Sequence, residues 1–164
     1  MQKQEAEKQF EQQVSLNELL IHKVCRMYAY TSADRDDLFQ EIVIQLWNAY
    51  PKFKGESKFS TWLYSVALNT AISGLRKKKN FIESREPAQL PEQSIDENAG
   101  QEENLLQLHK AISQLNSVEK AIVMLYMEDR TYAEMEEVLG MSQGNLRVKM
   151  NRIKEKLRQL TKNN

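Results

Sequence analysis

Between Phe81 and Glu103 the sequence reads FIESREPAQLPEQSIDENAGQEE, and this stretch limits what the chain can fold into more than any other. Pro87, Pro91 and Gly100 interrupt helical geometry, apolar residues are sparse, and no helical period runs through it. Its acids, Glu83, Glu86, Glu92, Asp96, Glu97, Glu102 and Glu103, stand against Arg85 alone. Such a segment has too little apolar surface to belong to a core. The sequence therefore predicts two small folded blocks, 1–80 and 104–164, joined by a flexible acidic linker over 81–103.

The blocks themselves read as helical. The chain has only five glycines and three prolines in 164 residues. It is rich in Glu, Gln, Lys and Leu, straight-chain residues that lose little rotamer freedom in a helix. An all-α fold of two small domains follows. Lys plus Arg and Asp plus Glu each number 23, so any charged binding surface must come from local segregation. Cys25 is the only cysteine, which excludes an internal disulfide and reads as a small core residue in a reducing compartment. His22 and His109 have neither a second cysteine nor a nearby carboxylate-histidine cluster to complete a metal site, so neither a metal nor another cofactor is expected. The amino end, MQKQEAEKQFEQQ, lacks the apolar core of a signal peptide, and no later run is long and apolar enough to cross a bilayer. A cytoplasmic protein without direct membrane insertion is expected.

In the second block the spacing predicts helices over 104–115, 117–127, 131–139 and 142–160. Thr131 and Glu134 fit a capping box at one helix start. Gly140 suits a left-handed helix end, and Ser142 suits the cap of the next helix. The result is helix, tight turn, helix. On the last helix Leu146, Met150, Ile153, Leu157 and Leu160 repeat at three and four residues and define a core stripe. The other faces carry Arg147, Lys149, Arg152, Lys154, Lys156 and Arg158, with Glu155 as the only acid. A basic run is often no more than a solvated face. Here it occupies the second helix of a helix-turn-helix, the element that enters a major groove. Ser142, Gln143 and Asn145 offer short polar groups to base edges, and Arg147, Lys149 and Arg152 suit bases or phosphates. Val148, opposite Leu146, is either an incidental exposed residue or a contact for a thymine methyl. Lys120 and Arg130 are each either phosphate contacts or solvated.

The first block reads as three or four helices. One is amphipathic through Leu16, Leu19, Leu20, Lys23, Val24 and Met27. A second runs from Asp34 or Arg35 to Tyr50, where Pro51 stops it. After the loop KFKGESK a third extends from about Lys58 to Arg76, apolar nearly all round and so central. The second helix places Leu38, Phe39, Ile42, Val43, Leu46, Trp47 and Tyr50 on its core face. Its other face carries Asp37, Gln40, Glu41, Gln45 and Asn48 around Ile44. Ile44 is either a lone exposed residue or the anchor of a protein interface with an acidic, amide-rich rim; such a surface does not suit DNA, which favours a protein partner. The central helix carries the stripe Trp62, Val66, Asn69, Ser73 and Arg76, followed by lysines from Lys77. Trp62 reads as core. Asn69, Thr70, Ser73, Arg76 and Lys77 are candidate nucleic-acid contacts, with Phe53, Phe59 or Trp62 available to stack on unpaired bases.

Three stretches, DRDDLFQEIVIQLW, FSTWLYSVALNTA and LNSVEKAIVMLYMEDRTYAEMEEVLGMSQGNLRVKMNRIKEKL, in this order and spacing, resemble an extracytoplasmic-function sigma factor of the sigma-70 family. The resemblance implies a non-enzymatic subunit that binds core RNA polymerase, directs it to promoters and helps to open them. The helix with Asp37, Leu38, Gln40 and Glu41, joined by Ile44 and Gln45, would dock on the clamp helices of the largest subunit. Asn69, Thr70, Ser73, Arg76 and Lys77 would meet the melted minus-ten element. The last helix, through Ser142, Gln143, Asn145, Arg147, Val148, Lys149 and Arg152, would read the minus-thirty-five duplex. Its domain would also meet the flap of the second-largest subunit. An anti-sigma factor is a further partner the resemblance suggests.

The chain departs from the family pattern at Leu68, where many relatives have arginine, and at Asn145 and Leu146, where many have threonine and valine. Met135 and Glu136 replace a common isoleucine-alanine pair. The competing reading is a helix-turn-helix DNA-binding regulator that never acts as a polymerase subunit. It leaves the acidic face around Ile44 without a task. A third class, a helical adaptor that binds proteins only, would need an acidic partner for the basic helix.

Overall fold

The structure is a computed structural model that describes residues 1–82 and 101–162, with side chains described for 1–75 and 103–162. The expected linker thus lies outside the described residues over 83–100, as do the side chains of Arg76 and Lys77. The chain divides into two compact units, Met1–Glu92 and Gln93–Asn164. Among the described residues the regular elements are all helical.

Unit 1 contains α1 (Gln2–Leu16), α2 (Glu18–Tyr28), α3 (Ser32–Ala49) and α4 (Phe59–Ile82). The last three pack on one another around Ile21, Val24 and Cys25 of α2, Ile42 and Leu46 of α3, and Leu63, Tyr64, Leu68 and Ala71 of α4. Arg35 secures the turn between α2 and α3, donating from Nε to the Ala29 carbonyl at 3.2 Å and from Nη2 to that of Tyr30 at 3.0 Å. These bonds satisfy the carbonyls of the cap residue of α2 and of the residue after it. Thr31 Oγ1 accepts from the Asp34 amide at 3.0 Å and starts α3 earlier than its apolar pattern suggests. Helix α3 ends at Ala49, one residue before the expected end, and Tyr50 stays in the right-handed helical region as the chain makes one 3-10 turn over Tyr50–Lys52 that contains Pro51.

Three features of unit 1 differ from the sequence expectation. The amino end forms α1, whose only fully buried residue is Phe10. The Phe10 ring meets Trp47 edge-on at 5.0 Å and Tyr50 at 5.2 Å. Secondly, Leu16 and Leu19 are 79% and 74% exposed, because the buried side of α2 is the row Ile21, Val24, Cys25 and Tyr28. Thirdly, Trp47 sits at the edge of the core and remains exposed, covered on one side by Phe10. Cys25 is buried as expected, and burial, reinforced by Asp36, pushes its thiol up to about 11.

Unit 2 contains α5 (Gln101–Ser113), α6 (Ser117–Met127), α7 (Tyr132–Leu139) and α8 (Gln143–Lys162). Helices α4 and α5 therefore each reach a few residues into the expected linker. All of α5, α6 and α7 pack against α8. A full capping box starts α6: the Glu119 amide donates to Asn116 Oδ1 at 2.8 Å, and the Asn116 amide donates to Glu119 Oε1 at 3.0 Å. Residues 120–125 of α6 are buried. Lys120 is among them at 7% exposure, so most of its stem packs within the apolar run of α6.

Removing the Phe10 ring deletes the one anchor of a helix too short to persist in water by itself. Phe10→Ala should lower the stability of unit 1 by about 3 kcal/mol and release α1. Urea unfolding followed by amide hydrogen exchange over residues 2–16 would measure both effects; unchanged protection there would refute the anchoring role.

Candidate nucleic-acid and polymerase interfaces

The helix-turn-helix is built from three local devices. Thr131 Oγ1 accepts from the Glu134 amide at 3.1 Å and begins α7. Gly140, at φ 71° and ψ 18°, ends it in the left-handed conformation that glycine adopts without a Cβ penalty. Ser142 Oγ then accepts from the Asn145 amide at 3.2 Å and starts α8. Met135 and Val138 of α7 and Leu146, Met150 and Ile153 of α8 are buried, which fixes the rotation of both helices. Met135 fills the core, and Glu136 lies outside it. Leu157 and Leu160 are only half-buried, since the core thins toward the end of α8.

With Leu146 turned inward, the face opposite it is open. Ser142, Asn145, Arg147, Val148 and Arg152 are exposed, and Gln143 and Lys149 are half-buried. Val148 is 49% exposed and has no place in the core. A Cβ on Gly144 would meet nothing within 4 Å, so packing inside the chain does not demand glycine there. Two α8 cations lie over rings: the Arg147 guanidinium is 5.0 Å from the Tyr132 centroid, and Lys154 Nζ is 4.8 Å from that of Tyr126. Two others pair with acids, Lys156 with Glu119 at 3.2 Å and Arg158 with Glu155 at 3.5 Å. Neither tyrosine stands out in the sequence as a partner for α8, because only the fold brings them beside it. Arg130 is likewise occupied, donating to Glu134 Oε2 at 3.1 Å. That hydrogen bond, with further help from the Arg130 charge and from Thr131, holds the Glu134 carboxyl below its usual range despite a smaller opposing effect of burial.

On unit 1 the acidic face is where the helical wheel puts it. Asp37, Gln40, Glu41, Gln45 and Asn48 are exposed around Ile44, itself 51% exposed, while Leu38 is half-buried at the border with the core. Gln45 Nε2 donates to Glu41 Oε1 at 3.0 Å, one turn away.

The central-helix residues divide between two surroundings. Asn69 and Ser73 are exposed and Thr70 is half-buried, its hydroxyl donating to the Val66 carbonyl at 2.7 Å. Leu68 is buried in the helix core, so this position is no part of the polar face. Trp62 differs from the expectation of a core residue. It is half-buried in a surface group of rings, 4.9 Å from Phe53, 5.3 Å from Phe59 and 6.3 Å from Tyr50. Gly55, at φ 73°, turns the loop between Phe53 and Phe59 so that both rings reach this group, 5.7 Å apart. No cluster of three or more potential metal ligands occurs among the described residues, and no described helix is long and apolar enough to cross a membrane.

Residues 14–81 match the family model Sigma-70 region 2, and residues 105–157 match Sigma-70, region 4. The chain belongs to the sigma-70 family. It is 28% identical over 130 residues to the ECF RNA polymerase sigma factor SigX of Bacillus subtilis, an alignment spanning 71% of this chain and 65% of that one. To the ECF RNA polymerase sigma-E factor of Escherichia coli it is 29% identical over 149 residues, spanning 82% of this chain and 78% of the relative. These relatives place it in the extracytoplasmic-function group. The fold is also that of the sigma factor RpoE in its co-crystal structure with the anti-sigma factor NepR from Bartonella quintana. There the TM-score is 0.73 at 19% identity, covering 94% of this chain and 98% of that one.

Glu134 gives this sigma-70 family member a pH signature. Because the folded carboxyl is depressed, its contribution to stability is complete above the unfolded value of about 4.3 and is lost as pH falls through the folded value. Glu134→Gln, which cannot ionise, should be less stable than wild type at pH 7 by about 0.5–1 kcal/mol, given solvent screening. That gap should close as pH falls through the folded value. Denaturant unfolding of both proteins across this range would test it, and a gap independent of pH would exclude the Arg130–Glu134 pair as its source.

Proposed function

We propose that this chain acts as an alternative, extracytoplasmic-function-type sigma factor that binds core RNA polymerase and directs promoter-specific initiation. The observation that carries the reading is the presence of two outward surfaces of opposite character on separate units. One is acidic and amide-rich around Ile44, and the other is cationic on the second helix of a helix-turn-helix. DNA repels the first, which suits a protein partner, and duplex DNA attracts the second. A free-standing DNA-binding regulator uses only one of the two and is the weaker reading.

In this proposal residues 1–80 bind the polymerase and the melted minus-ten strand, 81–103 link the domains, and 104–164 read the minus-thirty-five duplex. Asp37, Leu38, Gln40, Glu41, Ile44 and Gln45 meet the clamp helices of the largest subunit, with Ile44 as the desolvated anchor. Asn69, Thr70 and Ser73, with Arg76 and Lys77, hold the melted strand, whose bases stack on the Phe53–Phe59–Trp62 rings. Thr70 would act there as an acceptor, its proton being committed to Val66. Ser142, Gln143, Asn145, Arg147, Val148, Lys149 and Arg152 meet the upstream duplex, and unit 2 also engages the flap of the second-largest subunit. The polymerase supplies the chemistry, so the chain itself is no enzyme and works in the cytoplasm. An anti-sigma factor as a regulatory partner is supported by the complex in which the similar Bartonella protein was solved.

Reconstitution tests this directly. Purified protein added to core polymerase free of other sigma subunits, with genomic DNA as template, should yield transcript starts that share two spaced upstream motifs. Ile44→Glu should weaken polymerase binding at least tenfold, as expected for an interface anchor worth about 2 kcal/mol, and leave binding to the upstream duplex unchanged. Absence of any polymerase binding by wild type would remove the sigma assignment; equal affinity of wild type and Ile44→Glu would remove the Ile44 face from it.

A further inference from the structure

The cations of α8 are of two kinds. Lys156 and Arg158 lie against Glu119 and Glu155, so each positive charge is largely cancelled where it stands. Arg147 and Lys154 instead lie over the faces of Tyr132 and Tyr126, at 5.0 and 4.8 Å. A ring face attracts a cation through its quadrupole but carries no net charge. It can orient a guanidinium or ammonium without neutralising it.

Position matters as much as charge. Arg147 and Lys154 are seven residues apart, nearly two full turns, and share one flank of α8 beside the buried row of Leu146, Met150 and Ile153. Val148 and Arg152 project from the far side. Tyr132 opens α7, the helix that crosses the phosphate backbone when the following helix lies in a major groove. Its place is secured by the Thr131 cap immediately before it and by the Arg130–Glu134 bond spanning it. The flank bearing Arg147 thus faces the backbone side of the groove, and the Val148–Arg152 side faces the bases.

We propose that Tyr132 and Tyr126 are positioning residues that hold Arg147 and Lys154, still fully charged, as a row of phosphate contacts along one strand. This rests on the duplex-binding reading of α8 and divides its cations by task. The ring-seated pair sets register and affinity, while the exposed residues on the opposite side carry sequence preference.

The test is a double-mutant cycle with the full-length protein, measured by fluorescence anisotropy on two labelled duplexes of unrelated sequence over a salt series. Arg147→Ala should weaken binding to both duplexes by the same factor and reduce the salt slope by about one. Tyr132→Leu should weaken binding by about two- to fivefold, the equivalent of one exposed cation–ring contact. Tyr132→Phe, which keeps the ring and loses the hydroxyl, should bind like wild type. In the Arg147→Ala background Tyr132→Leu should have no further effect. An equal loss in both backgrounds, or a loss with Tyr132→Phe as large as with Tyr132→Leu, would overturn the positioning role while leaving α8 on DNA. No effect of Arg147→Ala at any salt would overturn the assignment of Arg147 to the duplex, and the inference with it.

Discussion

Burial of Leu146, Met150 and Ile153 against the rest of unit 2 is the constraint on which the nucleic-acid surface depends. A helix can present cations in any direction until something fixes its rotation about its own axis. Three inward residues at three- and four-residue spacing supply that fix. Everything on the opposite side, from Asn145 to Arg152, is then turned outward together. The αL turn at Gly140 adds the second restraint, since it sets where α8 starts relative to α7. Cap, turn and core stripe agree on a single orientation, which is the consistency expected of a sequence that specifies one structure.

Unit 1 applies the same logic to two surfaces at once. Ile42 and Leu46 turn α3 so that Ile44 and its acids face outward, and Leu63, Tyr64 and Leu68 turn α4 so that Asn69 and Ser73 do. The rings connect the two helices at one end. Phe10 touches Trp47 and Tyr50, Tyr50 stacks on Phe53 at 6.4 Å, and Phe53 meets Trp62. Side chains of this size have well-defined preferred contacts and little rotamer freedom to lose. A continuous row of them is a stiff way to carry α1, α3 and the loop before α4 as one body.

Residues whose role depends on local spacing were legible in the sequence. The core stripe of α8, the caps at Thr131 and Ser142, the Gly140 turn, the Pro51 stop and the exposed face around Ile44 follow from period and from turn chemistry alone. The Asn116-x-x-Glu119 box is equally local, and its signature matches that at Thr131. What escaped was non-local. Helix α1 is held by one phenylalanine against rings more than thirty-five residues away; a sequence window sees only a polar segment with weak periodicity. Leu16 and Leu19 look like core by composition, yet the helix breaks at Asn17 and the stripe changes side there. Lys120 carries the opposite lesson. Its charge suggests solvent, but its place inside the apolar run of α6 buries it.

Zero net charge is therefore a poor guide to this molecule, and the reason is geometric. Acids dominate the open side of α3 and the segment 81–103, and cations dominate α8, so the charges cancel only over the whole chain while each surface keeps its own local field. Within about a Debye length, roughly 8–10 Å at physiological salt, a ligand senses the nearby face and not the total. Even on α8 the count of cations overstates the field, because Lys156 and Arg158 lie against carboxylates. The charge available to an approaching anion is that of the cations without such a neighbour. Two of these rest on tyrosine rings, which order them and leave their charge intact. Counting lysines and arginines locates a binding surface; what each lies against decides how much of it works.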